Sequence, residues 1–335
     1  MNEKDWSFVD VWNKSLLNQE IRPTVARDHI WASELGKAPI ELYLKLKGVE
    51  PTNPPNARSL RKFEAGNVFE WIVSLILKRA GILQESQKWT AYQYPDLLKV
   101  TGKMDFIAGG LPDYEKARFE MNRLELPEVF VKAGTAIMEH FEREYPNGLK
   151  VKPLEIKSVS VFMFELLEKK GTGSQNHRMQ LMHYLLGENF DSGNIIYICR
   201  DDLRMLDIPV VKSEKTESEY RDCLVEITKY VREDVRPPLE KPIVFDKDIG
   251  KFSKNWNVAY SNYLTMLYGY QNQKEFDDAF SKIAERWNRV VNRVKRGDKM
   301  TEKNLLVLDE IKNADFNLEG LLKEFEVEGE SEEVN

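Results

Sequence analysis

Residues 154–160 read LEIKSVS, a mostly apolar, strand-like segment carrying an acid and a base two residues apart. In an extended strand alternate side chains point to opposite faces. Glu155 and Lys157 therefore project together, while Leu154, Ile156 and Ser158 project the other way. Such a pair is either an exposed cross-pair of little energetic weight or part of a working site. A second acid bears on that choice. Asp105 lies near the end of KVTGKMDFIAGG, where it is expected to share a face with Thr101, Lys103 and Ile107 while Val100, Met104 and Phe106 face away. If the two strands pair, Asp105 and Glu155 converge with Lys157 beside them. Carboxylates forced together repel, so they trap a proton or take a hard divalent cation through oxygen. A cation so held acidifies a bound water and neutralises charge on a phosphodiester oxygen. A neighbouring ammonium orients the attacking water or stabilises developing negative charge. This chemistry needs acids and a lysine, and neither serine nor cysteine.

The elements that must position these groups follow from patterning. The region from Trp6 to Lys47 reads as helical and mixed, and GVEPTNPPNARS is a linker too rich in Pro and Asn for a regular element. The next segment predicts an amphipathic helix whose apolar stripe is Phe69, Ile72, Val73, Ile76, Leu77 and Ala80, stopped at Gly81. After the Asp105 strand come two helical segments, the Glu155 strand, an apolar helix over 160–170 and a helix in NHRMQLMHYLLGEN. GNIIYICRDD and RMLDIPVV predict a hairpin, and the chain beyond Pro238 reads as mostly helical. The order implies an α/β core with helical elaborations. YPDLL and LPDYEK contain literal Pro-Asp pairs, but their contexts are those of turns and helix caps.

In order, the chain offers Gly66 with Glu70 on a helix, Asp105 ending a strand, Glu155-Ile156-Lys157 on a strand, and Gln180 with Tyr184 on the following helix. This series resembles the PD-(D/E)XK nuclease superfamily, and within it the RecB-like and lambda-exonuclease-like branch, over roughly residues 30–270. The resemblance implies a restriction-endonuclease-like core: a central mixed β-sheet flanked by helices. It implies that Asp105, Glu155 and the Ile156 carbonyl ligate Mg²⁺ or Mn²⁺, with Glu70 a further ligand or a contact to metal-bound water. Lys157 would be the catalytic lysine, and Gln180 and Tyr184 would contact DNA or brace the site. Implied domains are an N-terminal helical segment at 1–57, the nuclease core at 58–235, a C-terminal helical region at 236–317 and an acidic tail at 318–335. The expected activity is metal-dependent DNA hydrolysis, with exonuclease favoured by the subfamily. A module that binds DNA ends, or a structure-selective endonuclease, is the alternative.

The sequence departs from the family pattern in several places. Met104 rather than Pro precedes Asp105, and Glu70 stands where many members carry His. Relatives among the CRISPR-adaptation nucleases hold an iron–sulfur cluster through four cysteines. Here ASELGKAPIELYLKLKG has no cysteine, and Val258, Ser261 and Leu267 stand near the later thiolate positions, so no cluster is expected. The aromatics Trp256, Tyr260, Tyr263 and Tyr268 are expected to pack that region in its place. Two cysteines in 335 residues make neither a disulfide framework nor a four-thiolate metal site. No apolar run approaches a membrane span, and no signal-peptide pattern opens the chain. A cytoplasmic protein of a bacterial or phage-infected cell is expected. Its partners would be DNA, as ends or single strands, and a recombination or repair protein. The net charge of −6 matches that of residues 318–335, which carry seven Glu and one Lys. The other residues are charge-balanced, so a local basic patch suffices for DNA binding. The tail reads as a solvated, partly disordered segment.

Overall fold

The computed structural model describes residues 7–18, 24–123, 128–246 and 250–316. The acidic tail expected at 318–335 lies outside the described residues. The chain divides into two units, Met1–Glu50 with Pro55–Pro237 and Pro51–Pro54 with Pro238–Asn335. In the first, α1 (Phe8–Leu17) precedes β1 (His29–Trp31), a short 3₁₀ turn (Ala32–Glu34) and α2 (Pro39–Leu46). Helix α3 (Ala57–Arg79) leads into β2 (Leu83–Tyr92) and β3 (Lys99–Gly110), followed by α4 (Tyr114–Arg123) and α5 (Glu128–Glu144). Then come β4 (Leu149–Val159), α6 (Val161–Lys170), α7 (Gln175–Gly187), β5 (Ser192–Cys199), β6 (Met205–Val211) and α8 (Glu214–Arg232).

The fold is mixed α/β, a central mixed sheet flanked by helices. Strand β4 runs antiparallel to β3 and parallel to β5, and β5 pairs antiparallel with β6, as the hairpin pattern predicts. Strand β3 is the hub. Strand β2 lines one of its edges from Val100 to Ala108, while β1 and β4 share the other at residues 99–101 and 106–110. One face of the sheet is covered by α7, α8 and α2 around Met104, Tyr184, Tyr197 and Leu224. The other is covered by α3, whose Val73, Leu77 and Ala80 meet Phe106, Leu154 and Ile156. Burying these side chains gives about 1.5–3 kcal/mol each, which is what holds the polar strand centres in place.

Three expectations need correction. The apolar stripe of α3 is narrower than its pattern suggests: Ile72 and Ile76 are 40% and 39% exposed. Strands β1 and β2 are absent from the sequence reading. Strand β2 is a half-exposed edge strand with a polar outer face, so no apolar run marks it, and β1 is only 3 residues long. The alternation along β3 also shifts at Asp105. Val100 and Met104 pack beneath α7, whereas Phe106 packs beneath α3 and Ile107 returns to the α7 side. Met104 and Phe106 therefore do not share a face. The shift lies where β2 carries Gln87 in a left-handed conformation, φ 56°.

Caps behave as their residue types require. Asn56 accepts the Ser59 N–H to start α3, Ser160 accepts the Met163 N–H to start α6, and Gly171 at φ 62° ends it. Asp113, one of the two Pro-Asp sites, accepts the Lys116 N–H at 2.9 Å as a helix cap, and Asp96 of the other occupies a turn at φ 61°.

The second unit is not wholly helical. A small hairpin, β7 (Ile243–Asp246) and β8 (Lys251–Lys254), precedes α9 (Trp256–Ala259), α10 (Leu264–Tyr268), α11 (Gln273–Lys295) and α12 (Glu302–Asn313). Ile243, Phe252, Trp287, Val291 and Ile311 form its core. Tyr263 is fully buried, as packing predicts, but Trp256 and Tyr260 stack on each other at 47% and 55% exposure. Among the described residues no helix is long and apolar enough to cross a membrane.

Packing of α7 also makes the fold acid-sensitive. His183 is fully buried, with Nδ1 3.1 Å from the Tyr220 hydroxyl and Nε2 3.4 Å from the Thr90 carbonyl. A neutral ring satisfies both by accepting from the tyrosine and donating to the carbonyl. Burial pulls its pKa from 6.5 down to about 4. The unfolded chain thus binds a proton near pH 6.5 that the folded chain refuses until about pH 4. Stability should fall by on the order of 3 kcal/mol as pH drops through that window. Urea midpoints at both ends of it should show a smaller drop in His183→Gln than in the natural sequence; equal drops would remove His183 as the cause.

Candidate active site

Strands β3 and β4 pair from Gly110 back to Phe106 opposite Leu154, and then part. At that point the Asp105 side chain takes over the role of the ladder: its Oδ2 accepts the Ile156 N–H at 2.8 Å. Glu155 and Lys157 share one face of β4, as strand alternation requires, and Lys157 Nζ lies 2.6 Å from Glu155 Oε1. This is no exposed cross-pair, because Glu155 is 1% exposed. Its second oxygen, Oε2, is buried without a hydrogen-bond partner. Glu70 reaches the same region from α3, where the Gln87 side-chain amide donates to its Oε1. Gly66, one turn earlier, passes over the Ser158 hydroxyl, so α3 lies close against β4 there.

The electrostatics are those of an over-acidic cluster. Burial raises the pKa of Glu155 to about 8 against the pull of Lys157, and Asp105 and Glu70 raise it further. Glu70 is raised to about 7, first by desolvation and then by Asp105, with Lys103 and Lys157 opposing. Asp105 is raised by burial, although Lys157 and the Ile156 N–H pull the other way. For Lys157 burial favours the neutral amine, but Glu155 and Asp105 more than offset it and hold the ammonium protonated. Near neutral pH the cluster therefore favours either a shared proton or an added cation.

Whether a divalent cation suits this donor set turns on particular atoms. Among the described residues no three His, Cys, Asp or Glu side chains form a ready cage. Asp105 and Glu155 nonetheless provide two hard oxygen donors of raised proton affinity. One of the Glu155 oxygens lacks any partner, and the Ile156 carbonyl is the adjoining main-chain oxygen. An oxygen-seeking cation matches that set, because buried polar atoms without partners are costly.

Gln180 and Tyr184 do not face solvent. Both are buried, at 6% and 1% exposure. The Gln180 amide donates to the Tyr184 hydroxyl at 3.1 Å, and that hydroxyl donates to the Lys103 carbonyl at 2.9 Å. The pair thus ties α7 to β3 two residues before Asp105. A Cβ at Gly102 would lie 2.7 Å from Ala32 Cβ and 2.8 Å from the Tyr184 ring, so only glycine permits this approach. Two contributors were invisible in the sequence. Gln87, which holds Glu70, lies on a strand with no apolar signal. Tyr197 is the register partner of Lys157 on β5, and its hydroxyl takes the Ser174 N–H at 3.1 Å and meets His177 Nδ1 at 3.0 Å. His177 is driven by burial, then by Lys157, to a pKa of about 3, so it is a neutral neighbour of the ammonium.

No family model matches the chain, and no curated protein does. Solved structures offer distant likenesses. The crystal structure of SSO0001 is 16% identical and aligns with a TM-score of 0.39 over 69% of this chain and 90% of that one. An alkaline exonuclease from Laribacter hongkongensis is 13% identical, with a TM-score of 0.34 over 67% of this chain and 97% of that one. Its complex with dAMP is 12% identical at a TM-score of 0.35.

The bracing geometry makes a direct prediction. Tyr184→Phe removes the hydroxyl that serves Lys103 and strands the Gln180 amide, and should cost about 1–3 kcal/mol in urea denaturation. Adding Gln180→Leu should recover part of that loss. An unchanged midpoint in the single variant would mean that the hydroxyl is satisfied by water instead.

Proposed function

We propose that the protein is a metal-dependent deoxyribonuclease of the PD-(D/E)XK kind that hydrolyses phosphodiester bonds at DNA ends. One observation carries the reading: Asp105, Glu155 and Lys157 converge where β3 and β4 part, with a buried Glu155 oxygen left without a partner. In this reading Asp105, Glu155 and the Ile156 carbonyl would hold Mg²⁺ or Mn²⁺, with Glu70 as a further ligand or a contact to its water. The cation would supply an acidified water and neutralise charge on the scissile phosphate.

The chain's own groups do the rest. The Lys157 ammonium, held protonated by two carboxylates, stabilises the negative charge that grows on the phosphate oxygens. Its 2.6 Å contact to Glu155 fixes where that charge is placed. Exposed Lys103, close enough to Glu70 and Asp105 to lower the pKa of both, meets the incoming phosphate. Gln180 and Tyr184 are positioning residues that act through β3. The preference for ends over internal sites, and for DNA as substrate, rests on the family resemblance of the sequence.

The test uses end-labelled linear duplex, single-stranded DNA and covalently closed circles, each with Mg²⁺, Mn²⁺ or EDTA. Loss of linear DNA that requires the cation and spares circles is expected. Lys157→Ala should slow it by about 10²–10³-fold, the scale for removing one charge-stabilising group. Cutting of circles would move the assignment to an endonuclease. End binding without cleavage, surviving Lys157→Ala and Asp105→Ala, would replace catalysis with an end-binding module.

Cation binding has a readout separate from activity. A divalent ion at about 100 times its dissociation constant should stabilise the fold by about 2.7 kcal/mol, seen as a raised thermal midpoint. Asp105→Ala should abolish that rise. A rise of equal size in the variant would place the ion elsewhere.

A further inference from the structure

Beside the acidic cluster, the same sheet carries an uncovered aromatic surface. Trp31 of β1 is the register partner of Thr101, and Trp89 of β2 is the register partner of Lys103 on the opposite edge of β3. Their neighbours Ile30 and Thr90 are buried, so both indoles project to the other face, from either side of the one strand. The rings meet there with centroids 5.8 Å apart and planes at 49°. Trp89 is 62% exposed, an unusual state for a large indole. The Arg27 guanidinium lies 5.8 Å from the Trp31 ring, and His29 packs edge-on against it at 4.8 Å. Exposed Lys99 and Lys103 lie on the strand that the indoles flank. Two acids lie on this rim: Asp28 is paired with His29 at 2.9 Å, and Glu34 neutralises Arg27 at 3.0 Å and accepts the Trp31 N–H at 3.2 Å.

From this juxtaposition we infer that Trp31 and Trp89 form a stacking platform for an unpaired nucleobase, so that the substrate enters the site as a single-stranded segment. The inference rests on the nuclease reading for its orientation, since Lys103 lies between the platform and the carboxylates. A strand whose phosphate reaches Asp105 would carry its neighbouring base over the indoles, with Lys103 against the intervening backbone. Two features favour a base over an apolar partner. The rings offer flat faces beside the exposed Lys99 and Lys103, which suits a π system joined to phosphates. A duplex hides its internal base faces in the stack and exposes only that of its terminal pair, whereas every base of a single strand has a face to offer. Trp89 also shares β2 with Gln87, which holds Glu70, so a base seated on Trp89 would press on the strand that positions a site acid.

The test is fluorescence anisotropy in EDTA, with a labelled oligothymidylate and an abasic strand of equal phosphate number, using the full chain. The natural sequence should bind the base-bearing strand more tightly. Trp89→Ala should weaken that binding by about 5–100-fold, the scale of one stacked base, and leave the abasic strand unmoved. Trp89→Phe should retain most of the preference, and quenching of tryptophan fluorescence by oligothymidylate should shrink in Trp89→Ala. Equal affinity for both strands, or a preference untouched by Trp89→Ala, would overturn the platform. Because these readings need no turnover, they separate the two proposals. Cleavage by the natural sequence with no base preference would sink the platform alone, and a Trp89-dependent preference without metal-dependent cleavage would sink the nuclease alone.

Discussion

The arrangement depends on one edge of one strand. Strand β3 gives its second edge to β1 at residues 99–101 and to β4 at 106–110, which leaves residues 102–105 without a strand neighbour there. Backbone groups in a covered sheet must find partners, and side chains provide them: Tyr184 serves the Lys103 carbonyl and Asp105 takes the Ile156 N–H. The same shortage of strand opens the gap into which Glu155 and Lys157 project. A sheet with continuous pairing along β3 would have no room for a cluster of acids.

The cost of that gap is electrostatic. Glu70, Asp105 and Glu155 all have raised proton affinities, and the ammonium of Lys157 offsets only part of the burial of Glu155 and Asp105. Breaking such a buried set is as costly as forming it, because removal of one partner leaves an uncompensated charge. Stability must therefore come from the two apolar layers on either side, where α3 and α7 bury their stripes against β3, β4 and β5. These strands are held from outside rather than by their own polar centres.

Much of this was legible in the chain. The alternation in LEIKSVS correctly puts Glu155 and Lys157 together, and the strand around Asp105 pairs with it. What failed to show has physical reasons. Strand β2 packs only one face and its residues 84–86, 89 and 91 are exposed, so no apolar period marks it. The shift of facing at Asp105 breaks the period-2 rule on which the face assignment rested. Tyr197 could not be found from its own surroundings, because its place beside Lys157 exists only through the parallel pairing of β4 with β5.

Gln180 and Tyr184 show how far motif order carries and where geometry must take over. Their spacing of four places them on one helix face, which suits either a substrate contact or a brace. Burial separates these uses. A side chain at 1% exposure whose hydroxyl is committed to the Lys103 carbonyl has no capacity left for a phosphate. Its grip on β3 fixes the backbone two residues from Asp105, and glycine at position 102 is what lets the ring come that close. Helix α7 is thereby anchored to the strand that carries Asp105. The helix is itself tied down on other sides, His177 to Tyr197 of β5 and His183 to Tyr220 of α8, so the brace on β3 rests on a fixed support.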